Sequence, residues 1–223
     1  MASIYELALG ADFHKLHPRI QQRFGFNSED RIASIGHGVM EYIWYNKWVS
    51  APLYLGTSRH IMFPQGGRQV PFSIENFAYR DRFGRETVTW IRKFKFPNTI
   101  RHFDATMIYS KKRERIVDYL GTKQHLAVDL SITADDNGGI RIRSGDQRFY
   151  EGLMQFKFPQ LFTAVAEVNE WYDDSVEKYR ISVEVTNPVI GKVFRYLGSF
   201  EAQFIDMNHV PLDCLPLREE SRE

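Results

Sequence analysis

From Arg31 onward the chain is a succession of short segments in which apolar and polar residues alternate, each stopped by a break rich in Asp, Asn, Gly or Pro. "QVPFSIENFAYRD" runs into "RDRFGRE", "ETVTWIRKFKF" stops at "PN", and "IRHFDATMIYS" stops at the charged "KKRE". "RIVDYLGT" precedes "HLAVDLSITA", which ends at "DDNGG" before "IRIRSGDQRFYEG". "TAVAEVNEWY" turns at "DDSVE" into "KYRISVEVTN", and "NPVIG" precedes "KVFRYLGSFEAQFI". A period of two places successive side chains on opposite faces, which is the geometry of a strand. Connections this short join only antiparallel neighbours. With Arg31–Trp44, where "GHG" marks a bulge or bend, the count is about ten strands. Strand twist keeps a meander of that width from lying flat. The expected fold is therefore mostly β with two or three helices: an antiparallel up-and-down meander forming a barrel or a strongly curved sheet.

Helical spacing is confined to two places. Ile4, Leu7 and Ala8, and then Phe13, Leu16, Ile20 and Phe24, recur at mixed three and four spacing, with Pro18 either starting a second helix or kinking the first. Ser50 and Pro52 open a second segment whose apolar residues are Leu53, Leu55, Ile61, Met62 and Phe63, closed by Pro64 and Gly66. A helical cap after the first strand, followed by a meander, is the layout of lipocalin-like and intracellular lipid-binding barrels. That similarity is one of layout alone. Residues 1–210 are expected to form one barrel domain with an N-terminal helix, and residues 211–223 a flexible tail.

Several segments carry a continuous apolar row opposite a polar one: Leu126, Val128, Leu130 and Ile132; Tyr179, Ile181, Val183 and Val185; Phe103, Ala105, Met107 and Tyr109. These rows read as the inside of a closed sheet. About eight strands are nearly filled by their own side chains, so about ten leave room for a ligand.

Arg92 breaks this pattern, because it shares a parity with Val88, Trp90, Phe94 and Phe96. A buried charge needs a partner. Asp104 and Asp118 on the following strands, and Arg143, Gln147 and Arg148 further on, are the polar candidates. They can pair across the outer face, or they can orient the head group of a ligand inside. The second arrangement makes Arg92, Asp104, Asp118, Arg143, Gln147 and Arg148 a ligand-binding set. An arginine there favours a carboxylate or phosphate. Trp44, Tyr45 and Trp48 are either core or a rim with one wet side.

Composition narrows the classes. With 29 basic and 28 acidic residues, the net charge of +1 argues against nucleic-acid binding. A single cysteine, Cys214, allows no disulfide framework and suits a reducing, cytoplasmic setting. No apolar run approaches the ~20 residues of a membrane span. The seven histidines show no ligand spacing, so no metal is expected, and no phosphate or dinucleotide fingerprint implies a cofactor. Catalysis is the weaker expectation, and it would fall to Asp104 or Asp118 as acid or base.

Six blocks, "FHKLHPRIQQRFGF", "VPFSIENFAYRDRFGRETVTW", "RHFDATMIYS", "IVDYLGTKQHLAVDL", "RSGDQRFYEG" and "EVTNPVIGKVFRYLGSF", resemble a bacterial domain family of unknown function. That family occurs alone or appended to saccharopine-dehydrogenase-like reductases and multi-pass membrane proteins. The resemblance implies a bacterial source and a possible reductase or peripheral membrane partner, and it transfers no catalytic residue. The expectation is a domain that binds a small hydrophobic or amphipathic molecule without catalysis. The alternatives are a carboxylate enzyme and an accessory interaction domain.

Overall fold

The computed structural model describes residues 1–151, 154–157 and 163–223. Twelve strands follow one another in a single antiparallel sheet: β1 (Ile32–Tyr45), β2 (Gly67–Arg80), β3 (Glu86–Phe96), β4 (Thr99–His102), β5 (Ala105–Ser110), β6 (Arg115–Leu120), β7 (Leu126–Ala134), β8 (Ile140–Glu151), β9 (Met154–Lys157), β10 (Val165–Asp173), β11 (Lys178–Asn187) and β12 (Gly191–Asp206). Neighbours in sequence pair with each other except at two places: β3 pairs with both β4 and β5, which do not pair together, and β9 pairs with β8 and not with β10. Two further pairings close the ring. β12 lies against β1, with Phe200 opposite Gly38, and β10 lies against β8, with Glu170 opposite Ile140. Ten strands thus form a closed barrel, with β4 and β9 as flaps on its rim. The expected meander is present, closure is complete, and a helix follows the first strand.

The seam between β1 and β12 explains the glycines of "GHG". A Cβ on Gly38 would stand 2.0 Å from the Ser199 carbonyl oxygen. The bulge expected there lies slightly later, where Glu41 is the extra residue between Met40 and Tyr42.

Three helices serve the barrel. In α1 (Ile4–Leu9), Ser3 and Glu6 form a reciprocal cap. Pro18 occupies the first position of α2 (Pro18–Phe24), where its missing N–H costs nothing. Tyr5 and Phe24 from these two helices pack against Trp90 of β3. The helix after the first strand, α3 (Ser50–Thr57), is shorter than its apolar stripe suggested. It ends before Ile61–Phe63, and Leu55 points to solvent. Phe63 instead enters the barrel as extended chain and packs on Phe94 and Phe194.

One half of the interior is filled by rings. Phe63, Phe72, Phe94, Phe194, Tyr196 and Phe200 are all buried, with centroid separations such as 5.0 Å between Phe72 and Phe94. The segment after β12 lies across the outer wall. Cys214 and Val210 cover Ile91 and Phe77, while Tyr119 and Tyr150 donate hydrogen bonds to the backbone of Arg222 and Glu223. The residues expected as a tail, 211–223, therefore form a strap. Both faces of β3 are buried for this reason, one by the interior and one by the strap.

Candidate functional site

The other half of the interior is a cavity of about 200 Å³. It is large enough for about seven waters at liquid density. Its wall is apolar, built from residues such as Leu126, Val128, Leu130, Ile142, Val168 and Val183. Four polar side chains interrupt it: Arg92, Asp118, Ser144 and Gln147.

Arg92 is 4% exposed. Alternation along β3 points it inward between Trp90 and Phe94. Its Nε donates to the Phe103 carbonyl at 2.7 Å and its Nη1 to the Tyr196 hydroxyl at 3.4 Å. The guanidinium lies 3.9 Å from the Phe103 ring centre and 5.5 Å from that of Trp90. Each such face contributes about 0.5–2 kcal/mol, which offsets part of the charge's desolvation. None of these groups is an anion. Among the described residues, no carboxylate pairs with Arg92 in a salt bridge, and its Nη2 makes none of its hydrogen bonds.

Asp118 arrives from β6, opposite Met107 and Val128. Its Oδ1 is buried with no hydrogen-bond partner. Burial pushes its carboxyl up to about 7, against the lowering pull of Arg92. The pair therefore shares a cavity, feels a common field and makes no contact. Gln147 reaches the same space because of a bulge: Val128 faces Gln147 while Leu130 faces Ser144, so β8 carries one extra residue between them. Gln147 donates to the Ala164 carbonyl.

The same bulge sends Arg148 outward. Its Nη2 donates to Asp129 at 2.6 Å and its Nε to the Tyr150 hydroxyl, beneath the strap. Arg143 is also outside, 64% exposed beside Glu167. Of the six residues read from the sequence as a ligand-binding set, the fold brings Arg92, Asp118 and Gln147 together. It leaves Arg143 and Arg148 on the outer wall.

Asp104 is elsewhere again. The segment "IRHFDATMIYS" is not one strand, because it breaks at Phe103 and Asp104 between β4 and β5. The Phe103 N–H donates to the Arg92 carbonyl and the Asp104 N–H to the His60 carbonyl. The Asp104 carboxylate consequently leaves the strand alternation and faces an outer groove, where it meets His60 and His102. Burial raises its pKa, but the two imidazoles more than offset that and hold it below the usual carboxylate range. His60 and His102 have no ligand spacing in the sequence, yet the fold stacks their rings 4.2 Å apart. Only the spacing of His102 and Asp104 hinted at it.

The sequence reading missed a second interior charge. Arg23 of α2 enters the barrel end and donates through Nε to Glu170 and through Nη1 to Ser34 at 2.9 Å. Burial raises the Glu170 pKa, and Arg23 opposes the rise. Among the aromatic candidates, Trp48 is 93% exposed beside α3. No helix among the described residues is long and apolar enough to cross a membrane.

Comparison with known proteins agrees with the block resemblance. The family model described as "Domain of unknown function (DUF4166)" matches residues 16–200. The chain is 31% identical over 204 residues to "Uncharacterized protein YndH" of Bacillus subtilis (strain 168). That alignment covers 91% of this chain and 98% of the relative. By both measures the chain belongs to the DUF4166 family.

Proposed function

We propose that the barrel interior binds a small, largely apolar molecule carrying one anionic oxygen head group, such as a short or medium-chain carboxylate. The observation behind this reading is Arg92, a buried cation in an apolar cavity with no anion paired to it. A bound carboxylate would take hydrogen bonds from Nη2 of Arg92 and from Asp118 in its protonated form, with Gln147 and Ser144 nearby. The hydrocarbon portion would lie along Leu126, Val128 and Ile142. A cavity of about 200 Å³ favours a small molecule over a full-length lipid.

The test is native mass spectrometry of gently purified protein, followed by calorimetry with straight-chain carboxylates of increasing length. Saturable binding that ends beyond a limiting length, and that disappears in Arg92→Met, supports the reading. Absence of any adduct and of any binding, or binding indifferent to Arg92→Met, overturns it.

A second reading rests on Asp118 alone. A carboxyl held at about 7 in an apolar cavity has the protonation balance of a general acid or base at neutral pH. On that reading wild type converts the bound molecule while Asp118→Asn retains it unchanged. Identical recovery of the molecule from both proteins would dismiss catalysis. Asp104, outside the barrel and paired with histidine, has no part in either reading.

A further inference from the structure

We propose that His60, His102 and Asp104 form a binding site for a divalent first-row transition ion, of the zinc or iron(II) type. The three residues come from two parts of the chain that the fold presses together. His60 sits in the loop after α3, and His102 and Asp104 flank the end of β4. One ligand atom from each lies within 4.8 Å of the others. The Asp104 Oδ2 is 2.6 Å from Nδ1 of His60 and 3.6 Å from Nδ1 of His102. A tetrahedral zinc ion with ordinary bonds of about 2.0–2.2 Å holds such atoms about 3.3–3.6 Å apart, so the His102 separation already fits and the His60 separation must widen by about 1 Å or less.

Three further features distinguish this cluster from an ordinary hydrogen-bonded histidine. The Nδ1 of His102 is buried and has no hydrogen-bond partner, leaving a lone pair or a proton unmet. The Asp104 carboxylate is oriented from behind, because its Oδ1 accepts the Arg92 backbone N–H at 3.3 Å while Oδ2 points at both rings. That is the supporting shell a metal-bound carboxylate needs. The backbone is also built to hold His60 in place. Asp104 N–H donates to the His60 carbonyl, and Thr122 N–H donates to the Arg59 carbonyl. Gly121 permits that approach, since a Cβ there would stand 2.3 Å from the Arg59 carbonyl oxygen.

Two imidazoles and one carboxylate leave coordination positions open. These face a groove of about 370 Å³ between the barrel wall and the strap residues Leu212–Leu217. An ion here would tie the loop that carries Ile61 and Met62 of the cavity wall to the link that carries Phe103 against Arg92. The proposal does not depend on what occupies the barrel.

The test uses untagged full-length protein stripped with a chelator. Zinc binding is followed by calorimetry, and cobalt(II) binding by visible absorption. The expected result is one ion per chain with micromolar or tighter affinity, and a cobalt spectrum of four- or five-coordinate intensity. His60→Ala and Asp104→Asn should each weaken affinity by more than about 100-fold, with the far-ultraviolet circular dichroism unchanged. His60→Ala changes a loop side chain and Asp104→Asn keeps the shape, so at least one folded variant is secured. No stoichiometric binding, or binding that both variants retain, overturns the proposal.

Discussion

Asp118 shares the barrel cavity with Arg92 yet makes no ion pair with it, so each charge is left to be completed by something between them. A pair in contact would have settled the charge within the protein. A pair held apart in an apolar container leaves the site chemically unsaturated.

That separation has a pH signature. The Asp118 carboxyl titrates at about 7 in the folded chain and at 3.8 in the unfolded one. Between those values the folded state holds a proton that the unfolded state has released. Stability contributed by Asp118 is therefore full below pH 4 and is lost as pH rises towards 7, at up to about 1.4 kcal/mol per unit. Asp118→Asn removes this slope. Denaturant unfolding at pH 5 and pH 8 should show the variant gaining on wild type at the higher pH. An unchanged difference at both pH values contradicts the assignment.

Replacing Arg92 by methionine keeps the unbranched apolar stem and removes the charged guanidinium. Arg92 is buried without a counter-ion, so the substitution should alter stability by no more than about 1 kcal/mol, in either direction. It should also push the Asp118 carboxyl still higher, because Arg92 is the charge lowering it. Measuring the pH dependence of unfolding in the variant checks both effects together.

The interior pair of Arg23 and Glu170 should behave in the opposite way. Each is almost fully buried, and each is the other's principal partner. Arg23→Ala strands a buried carboxylate and should cost about 3–5 kcal/mol. The double change Arg23→Met with Glu170→Leu should recover most of that loss. A double mutant as unstable as the single one would show that α2 depends on more than this charge.

Deleting residues 218–223 tests the strap. The deletion removes the backbone acceptors of the Tyr119 and Tyr150 hydroxyls and exposes the outer cluster of Ile108, Val117 and Ala127. Arg85 and Arg113 also donate to the Glu220 and Glu223 carbonyls, and the Glu220 N–H donates to the buried Gln124 Oε1. At about 1 kcal/mol for each hydrogen bond, together with the uncovered apolar surface, the expected loss is at least about 5 kcal/mol. Urea denaturation of the truncated protein measures it, and unchanged stability would mean the strap only rests on the wall.

Strand count, antiparallel order, the inward parity of β3 and the presence of an interior followed from the one-dimensional pattern. Alternation and turn chemistry act over a few residues, and Arg92 could be placed among the apolar side chains of β3 on that basis alone. The remaining site residues were not assignable in the same way. One extra residue near Gly145 reverses which of Gln147 and Arg148 faces inward. A two-residue interruption at Phe103 and Asp104 removes Asp104 from the parity of β5. Neither insertion has a local signature strong enough to be read from the chain.

The amino-acid pattern by itself determined that this protein rolls a meander of strands around apolar side chains with a cation among them. Only the tertiary structure decided that β10 closes on β8, that rings fill one half and leave the other open, and that His60 meets His102 and Asp104. Periodicity governs which way a side chain leaves its own strand. Ring closure, bulges and loop docking govern which distant side chains it then meets, and those depend on contacts between residues far apart in the chain.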